Sequence, residues 1–222
     1  MSDDHEVELH KRGPTPYNEL PDVMQLHRAI GGYVTVFSEL ISTMRTAIHA
    51  LLAPVDERIV LGDARLDILL ATMTAKPMAD AFFGLSIHVA SLDDDEQRML
   101  KALRRDVADQ VAFRNDLLHA EWSVGWVDED TGEPVAASAL RIKTVDKVPR
   151  STDLGITASD IYQAINKLQL IIRAVRTLGW SCRCMQRGLP DRVRDCLELN
   201  DVGNQVRVDV VKHPEHWADL GT

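Results

Sequence analysis

The chain has 222 residues, 45% of them hydrophobic and 27% charged, with a formal net charge of −9 at pH 7. That length supports one good-sized core without forcing a second domain, and the composition excludes wholesale disorder. The acidic balance excludes broad, non-specific coating of nucleic acid, which needs many Lys and Arg to displace phosphate counterions, so any nucleic-acid site must be local.

No apolar run approaches the ~20 residues that span a bilayer, and the start MSDDHEVELHKR is acidic and polar where a signal peptide is positive and then greasy. A cytoplasmic location without membrane contact is expected, and residues 1–20 read as a flexible N-terminus. Three cysteines, Cys182, Cys184 and Cys196, form an odd, late-clustered set, so reduced thiols are expected rather than a disulfide framework.

From Asp22 to Leu52, the residues Ile30, Val34, Phe37, Ile41, Met44, Ile48 and Leu51 recur at alternating spacings of four and three. That predicts one long helix with this stripe buried. Pro21 suits its first turn and Pro54 its end, while Gly31 and Gly32 inside it mark a kink or a late start. After Asp63, a capping residue type, Leu66, Leu69, Leu70 and Met73 form a shorter amphipathic stretch. Pro77 opens another that reaches His88, giving two helices or one broken one. The segment SLDDDEQRML predicts a helix start, with Asp93 as cap and Glu96 as the reciprocal partner of a capping box. This helix is expected to run to about Trp122.

Beyond Trp122 the texture changes. WSVGWV, the turn-rich DEDTGEP and SALRIKTV predict a β-hairpin over residues 122–145. Thr157 or Ser159 starts the last long helix, in which Ile161, Ile165, Leu168, Ile172, Val175 and Leu178 repeat the three-four spacing until Gly179 supplies a stop. The tail predicts a short helix after Pro190 and a strand, QVRVDVV, placed to join the hairpin. The expected architecture is mainly α: a four- or five-helix up-down bundle over residues 21–182, carrying the hairpin as an insertion, with a C-terminal extension over 183–222.

On a wheel of ~100° per residue, Leu100, Leu103, Val107, Val111 and Leu118 form the buried stripe of the helix that begins at Asp93, and Arg114 falls inside it. An arginine where the pattern asks for leucine is a conflict between local and global rules, and such conflicts concentrate at functional and interface sites. Its charge is permanent, so it must snorkel, pair with a carboxylate or meet an anion. His119 lies roughly 140° round from Arg114, while Asn115 sits one turn before His119 on its face. Arg114 and His119 therefore flank the helix, and two copies related by a twofold axis would bring them to one cleft.

RNA carries its own nucleophile, the 2′-hydroxyl, so its cleavage needs only a proton acceptor, a proton donor and a positive clamp on the phosphorane. Histidine fills either proton role near neutral pH, arginine is the natural bidentate phosphate binder, and Asn115 suits orienting a phosphate oxygen or the imidazole.

The segment FRNDLLHAEW, with Arg114, the polar Asn115, three further residues and then His119, resembles the R-x4-6-H motif of HEPN domains, found in toxin and antiviral ribonucleases. The resemblance implies a four- or five-helix bundle with the motif late in one helix and an active site built by two protomers. It implies metal-independent endoribonuclease activity without a cofactor, with Arg114 and His119 as the essential pair and Asn115 as the polar residue that often follows the arginine. The implied partners are RNA, a second copy of the chain and an antitoxin protein, in toxin-antitoxin or phage-defence regulation. Family members without catalysis serve as interaction modules, so a non-catalytic, nucleotide- or partner-binding module is the alternative.

Lys101, Arg104 and Arg105, upstream on the same helix, are candidates for binding the substrate, as are Arg141, Lys143, Lys147 and Arg150 around the hairpin; a solvated face is the plainer meaning of either group. Asp116 and Glu121 read as solvated charges, and the run Asp93 to Glu96 as a cap favoured by the helix dipole. Cys182-x-Cys184 with Cys196, and His213 with His216, are two-ligand fragments without a matching pair, so no metal site is expected. Trp122 and Trp126 read as anchors of the hairpin on the bundle. For Arg114 the plain alternative is a salt bridge to a neighbouring helix, and for His119 a polar helix end.

Overall fold

The first apolar repeat folds as one unbroken helix, α1 (Pro21–Leu52), in a computed structural model that describes residues 21–53, 64–126, 128, 130–131, 135, 137–145, 148–189, 192–199 and 206–208. It is followed by α2 (Ala64–Ala71), α3 (Ala75–Val89) and α4 (Asp94–His119). Strands β1 (Glu121–Ser123), β2 (Ser138–Val145) and β3 (Val148–Asp153) come next, then α5 (Ala158–Gln186), α6 (Val193–Cys196), β4 (Leu197–Leu199) and β5 (Val206–Val208). The fold is mainly helical with a small antiparallel sheet inserted between α4 and α5. The expectations for residues 1–20, Pro54, Asp63, Pro190, His213 and His216 fall outside the described residues.

Capping chemistry sets two helix starts as the sequence predicts. The Asp93 carboxylate accepts from the backbone N–H groups of Asp95 and Glu96, while Glu96 Oε2 accepts from Asp93 N–H at 3.0 Å, satisfying donors that the first turn leaves without partners. Thr157, rather than Ser159, caps α5 and exchanges the same reciprocal bonds with Asp160.

The buried seam of α1 is rotated from the expected stripe. Ala29, Tyr33, Leu40 and Ala47 are buried with Phe37, Met44, Ile48 and Leu51, while Val34 is exposed and Ile30 and Ile41 are only partly covered. A count of large aliphatics overlooks alanine and tyrosine, and here those residues make the closest helix contacts. Gly31 and Gly32 cause no break; a Cβ at Gly32 would come within 3.3 Å of Ile165 Cδ1 on α5.

Gly179 does not stop α5, which continues to Gln186. Its role is the crossing with α1, because a Cβ at this position would lie 2.9 Å from Ala47 Cβ and 3.7 Å from the Phe82 ring. Beyond it, the buried Arg183 donates to the Ala53 carbonyl at 2.8 Å, bringing a cation to the C-terminal end of α1 where carbonyls lack helical partners. The two close contacts, Gly32 with Ile165 and Gly179 with Ala47, set α1 and α5 side by side in the same direction. Helix α4 runs against α5: Asp106 pairs with Lys167 at 2.9 Å near the start of α5, and Glu96 lies beside Cys182 near its end.

The expected hairpin over 122–145 is a three-stranded sheet in the order β1-β2-β3, with Trp122 opposite Ala139 and Ile142 opposite Ser151. The sequence VPRSTD, with a proline at its second position and nearly without apolar residues, hid the third strand; only Val148 and Thr152 carry strand character. Helix α4 stops at His119 instead of Trp122, since the Trp122 indole turns back to donate to the Leu117 carbonyl at 3.0 Å. The tail strand β5 does not join this sheet; it pairs with β4, Leu197 opposite Val208, and that second hairpin packs on α5. The tail is fastened to the start of α4, where Arg192 Nε meets the fully buried Glu96 at 3.1 Å and Arg194 meets Asp93 at 2.8 Å. Among the described residues no helix is long and apolar enough to cross a membrane.

Candidate functional site

The segment RNDLLH forms the last turn and a half of α4. Helix α1 holds this end of α4: the buried Tyr33 hydroxyl donates to the Gln110 main-chain carbonyl at 3.0 Å and lies 3.3 Å from Gln110 Oε1, and the Phe113 ring meets Tyr33 edge-on at 5.2 Å. The seam of α4 therefore runs through Leu100, Leu103, Val107, Gln110 and Leu117. Val111 is only partly buried and Leu118 is exposed, which corrects the expected stripe. Polar residues take buried places because each finds a partner: Glu96 in Arg192, Asp106 in Lys167, Gln110 in Tyr33.

Arg114 sits at the edge of that seam, half-buried. Its Nη1 donates to Asn115 Oδ1 at 3.2 Å, a contact within one helix. Burial pushes the Tyr33 phenol well above its ordinary value, and the positive charge of Arg114 opposes that rise. Among the described residues no carboxylate pairs with Arg114, and the salt bridge to a neighbouring helix is not formed.

His119 is exposed at the last helical residue, and Asn115, one turn earlier, is half-buried. Helical geometry puts His119 ~140° and Asn115 ~100° from Arg114 round α4, so one copy does not bring Arg114 and His119 together. Lys101, Arg104 and Arg105 are all exposed. They fall at roughly 140°, 80° and 180°, on the same side as Asn115 and His119. Arg104 is drawn to Asp80 on α3 at 2.8 Å. Local helical geometry thus puts the three upstream cations on the His119 side of α4, roughly 21–27 Å before it along the axis, and away from the direction of Arg114.

Two contacts tie this helix end to the sheet, and the first of them escaped the sequence reading. Asp116, read as a solvated charge, forms an ion pair with Arg141 on β2, both side chains being about 30% exposed. The signal was the alternation of β2, which puts Arg141 on the same sheet face as the fully buried Ala139 and so toward the bundle. The second is the Trp122 bond to Leu117, which makes Trp122 the expected anchor, whereas the Trp126 side chain is 66% exposed.

Cys182 and Cys184 are buried and Cys196 half-buried, and no disulfide joins them. Burial pushes the Cys182 thiol up to about 12, far from the range in which a thiolate forms readily. Among the described residues no three His, Cys, Asp or Glu side chains gather as they would around a metal ion. Set against known proteins, the chain matches no family model, no curated protein and no solved structure.

Proposed function

We propose that this protein is a metal-independent endoribonuclease of the HEPN type that acts in the cytoplasm as a homodimer, in toxin-antitoxin or phage-defence regulation. One observation carries the reading: Arg114 is a permanently charged, half-buried side chain with no carboxylate partner among the described residues. A half-buried cation without a carboxylate partner is free to meet an anion supplied from outside, and a phosphate matches its planar fork.

In this reading the 2′-hydroxyl attacks the adjacent phosphorus, the bond from phosphorus to the 5′-oxygen breaks, and a 2′,3′-cyclic phosphate results. His119 takes the hydroxyl proton while water protonates the leaving 5′-oxygen, or protonates that oxygen while water accepts the hydroxyl proton; Arg114 of the other copy clamps the phosphate and Asn115 orients it. The angular separation of Arg114 and His119 is the reason that two copies are required. The face bearing Lys101, Arg104 and Arg105 leads the RNA along α4 toward His119, and an antitoxin protein would act by covering that path.

The test is incubation of the purified protein with RNA in EDTA. Fragments ending in 2′,3′-cyclic phosphate are expected, with His119→Ala slower by roughly 100-fold or more. RNA left intact by wild type and variant alike sinks the proposal.

A second reading is a non-catalytic nucleotide- or partner-binding module. The engagement of Arg104 with Asp80 favours it, because that contact withdraws a cation from an already acidic protein. Arg114→Ala would then weaken nucleotide or partner binding in a protein that never cleaves RNA.

A further inference from the structure

His119 is the last residue of α4, and the Ala120 that follows is extended, with φ −74° and ψ 145°. Final helical turns fray, because their carbonyls have no partners further along the chain. A side chain used in proton transfer cannot work from a fraying turn. At this end two tethers come from a different element: Arg141 on β2 pairs with Asp116, and the Trp122 indole on β1 donates to the Leu117 carbonyl at 3.0 Å. They grip the two residues that lie three and two positions before His119. The sheet that supplies both is internally registered, Trp122 lying opposite Ala139, two residues from Arg141 on the same strand face.

We infer that Asp116 and Arg141 form a positioning pair, by which the three-stranded sheet fixes the direction of the His119 imidazole at the end of α4. Asp116 is three residues before His119, close to one turn, so holding its carboxylate holds the turn that carries the histidine. The pair is a charge contact between Arg141 Nη1 and Asp116 Oδ1, and it links the sheet to the last turn of α4. The sheet thereby has a function of its own, and the insertion of a sheet next to the motif helix is accounted for. The inference rests on the ribonuclease reading only for its consequence in catalysis; the ordering of the turn stands on the contacts alone.

The experiment uses the full chain in four forms: wild type, Asp116→Asn, Arg141→Gln and the charge swap Asp116→Arg with Arg141→Asp. Amide hydrogen exchange at residues 116–119, thermal midpoint and RNA cleavage are measured on each. Each single variant is expected to speed exchange at those amides about tenfold with the core amides unchanged. Cleavage should fall roughly 10- to 100-fold in kcat with little change in KM, and the swap should recover a substantial part of both. A general loss of structure would instead move the core amides and the midpoint together. Exchange at 116–119 unchanged in both single variants overturns the inference. Faster exchange with unaltered cleavage overturns the positioning role, and a wild type that does not cleave RNA removes the ribonuclease reading while the exchange comparison still decides whether the pair orders the turn.

Discussion

The Tyr33 hydroxyl reaches across 3.0 Å to the Gln110 main-chain carbonyl, and this bond joins α1 to α4 one turn before Arg114. Tyr33 is fully buried, so its phenol is neutral in the folded protein at pH values where an exposed tyrosine ionises. Between the ordinary value of 10.0 and the raised folded value, the unfolded chain loses the proton and the folded chain keeps it. Stability is therefore intact below that ordinary value and falls as the pH rises above it. Denaturant titrations from pH 8 to 11.5 should record that fall. Tyr33→Phe should cost about 0.5–1.5 kcal/mol at neutral pH and flatten the alkaline slope.

The glycines of the long helices separate into two kinds, and alanine substitution tells them apart. At Gly179 a Cβ would lie 2.9 Å from Ala47 Cβ, so the added methyl forces α1 and α5 apart. Overpacking of about 1–3 kcal/mol outweighs the gain of about 1 kcal/mol in helix propensity, and the thermal midpoint should drop by a few degrees. At Gly31 and Gly84 nothing lies within 4 Å. Alanine there should raise stability, by up to about 1 kcal/mol each.

Removal of the cation that faces Glu96 tests the attachment of the tail. Glu96 is fully buried and takes bonds from Arg192 and from the Asp93 N–H. Arg192→Ala leaves that carboxylate short of its cation. A loss of stability is expected, smaller than for a fully buried pair because Arg192 is itself about a third exposed. Chemical denaturation should register it, and Glu96→Gln combined with Arg192→Ala should be less destabilising than Arg192→Ala alone.

Much of this fold was legible because its signals are local. Asp93 with Glu96 and the alternation in SALRIKTV each announce their element within a few residues, as does the three-four repeat of α5. The errors have one origin: long-range partners change what a residue is for. Gly179 reads as a stop until Ala47 is placed against it, and Val148–Asp153 lacks strand character until β2 lends it a partner. The same holds at the site. Arg114 stood out as a misplaced charge, whereas Asp116 and Arg141, 25 positions apart, had no local mark to connect them.

The composite site is tested most directly by mixing two inactive proteins. Arg114→Ala and His119→Ala are purified separately, combined under conditions that let subunits exchange, and assayed for RNA cleavage in EDTA. If Arg114 and His119 act across a twofold interface, each alone is inactive and the mixture regains measurable cleavage, since half of the dimers are mixed and each of those keeps one Arg114 and one His119. A mixture as inactive as its components, beside a wild type that cleaves, contradicts the two-copy site.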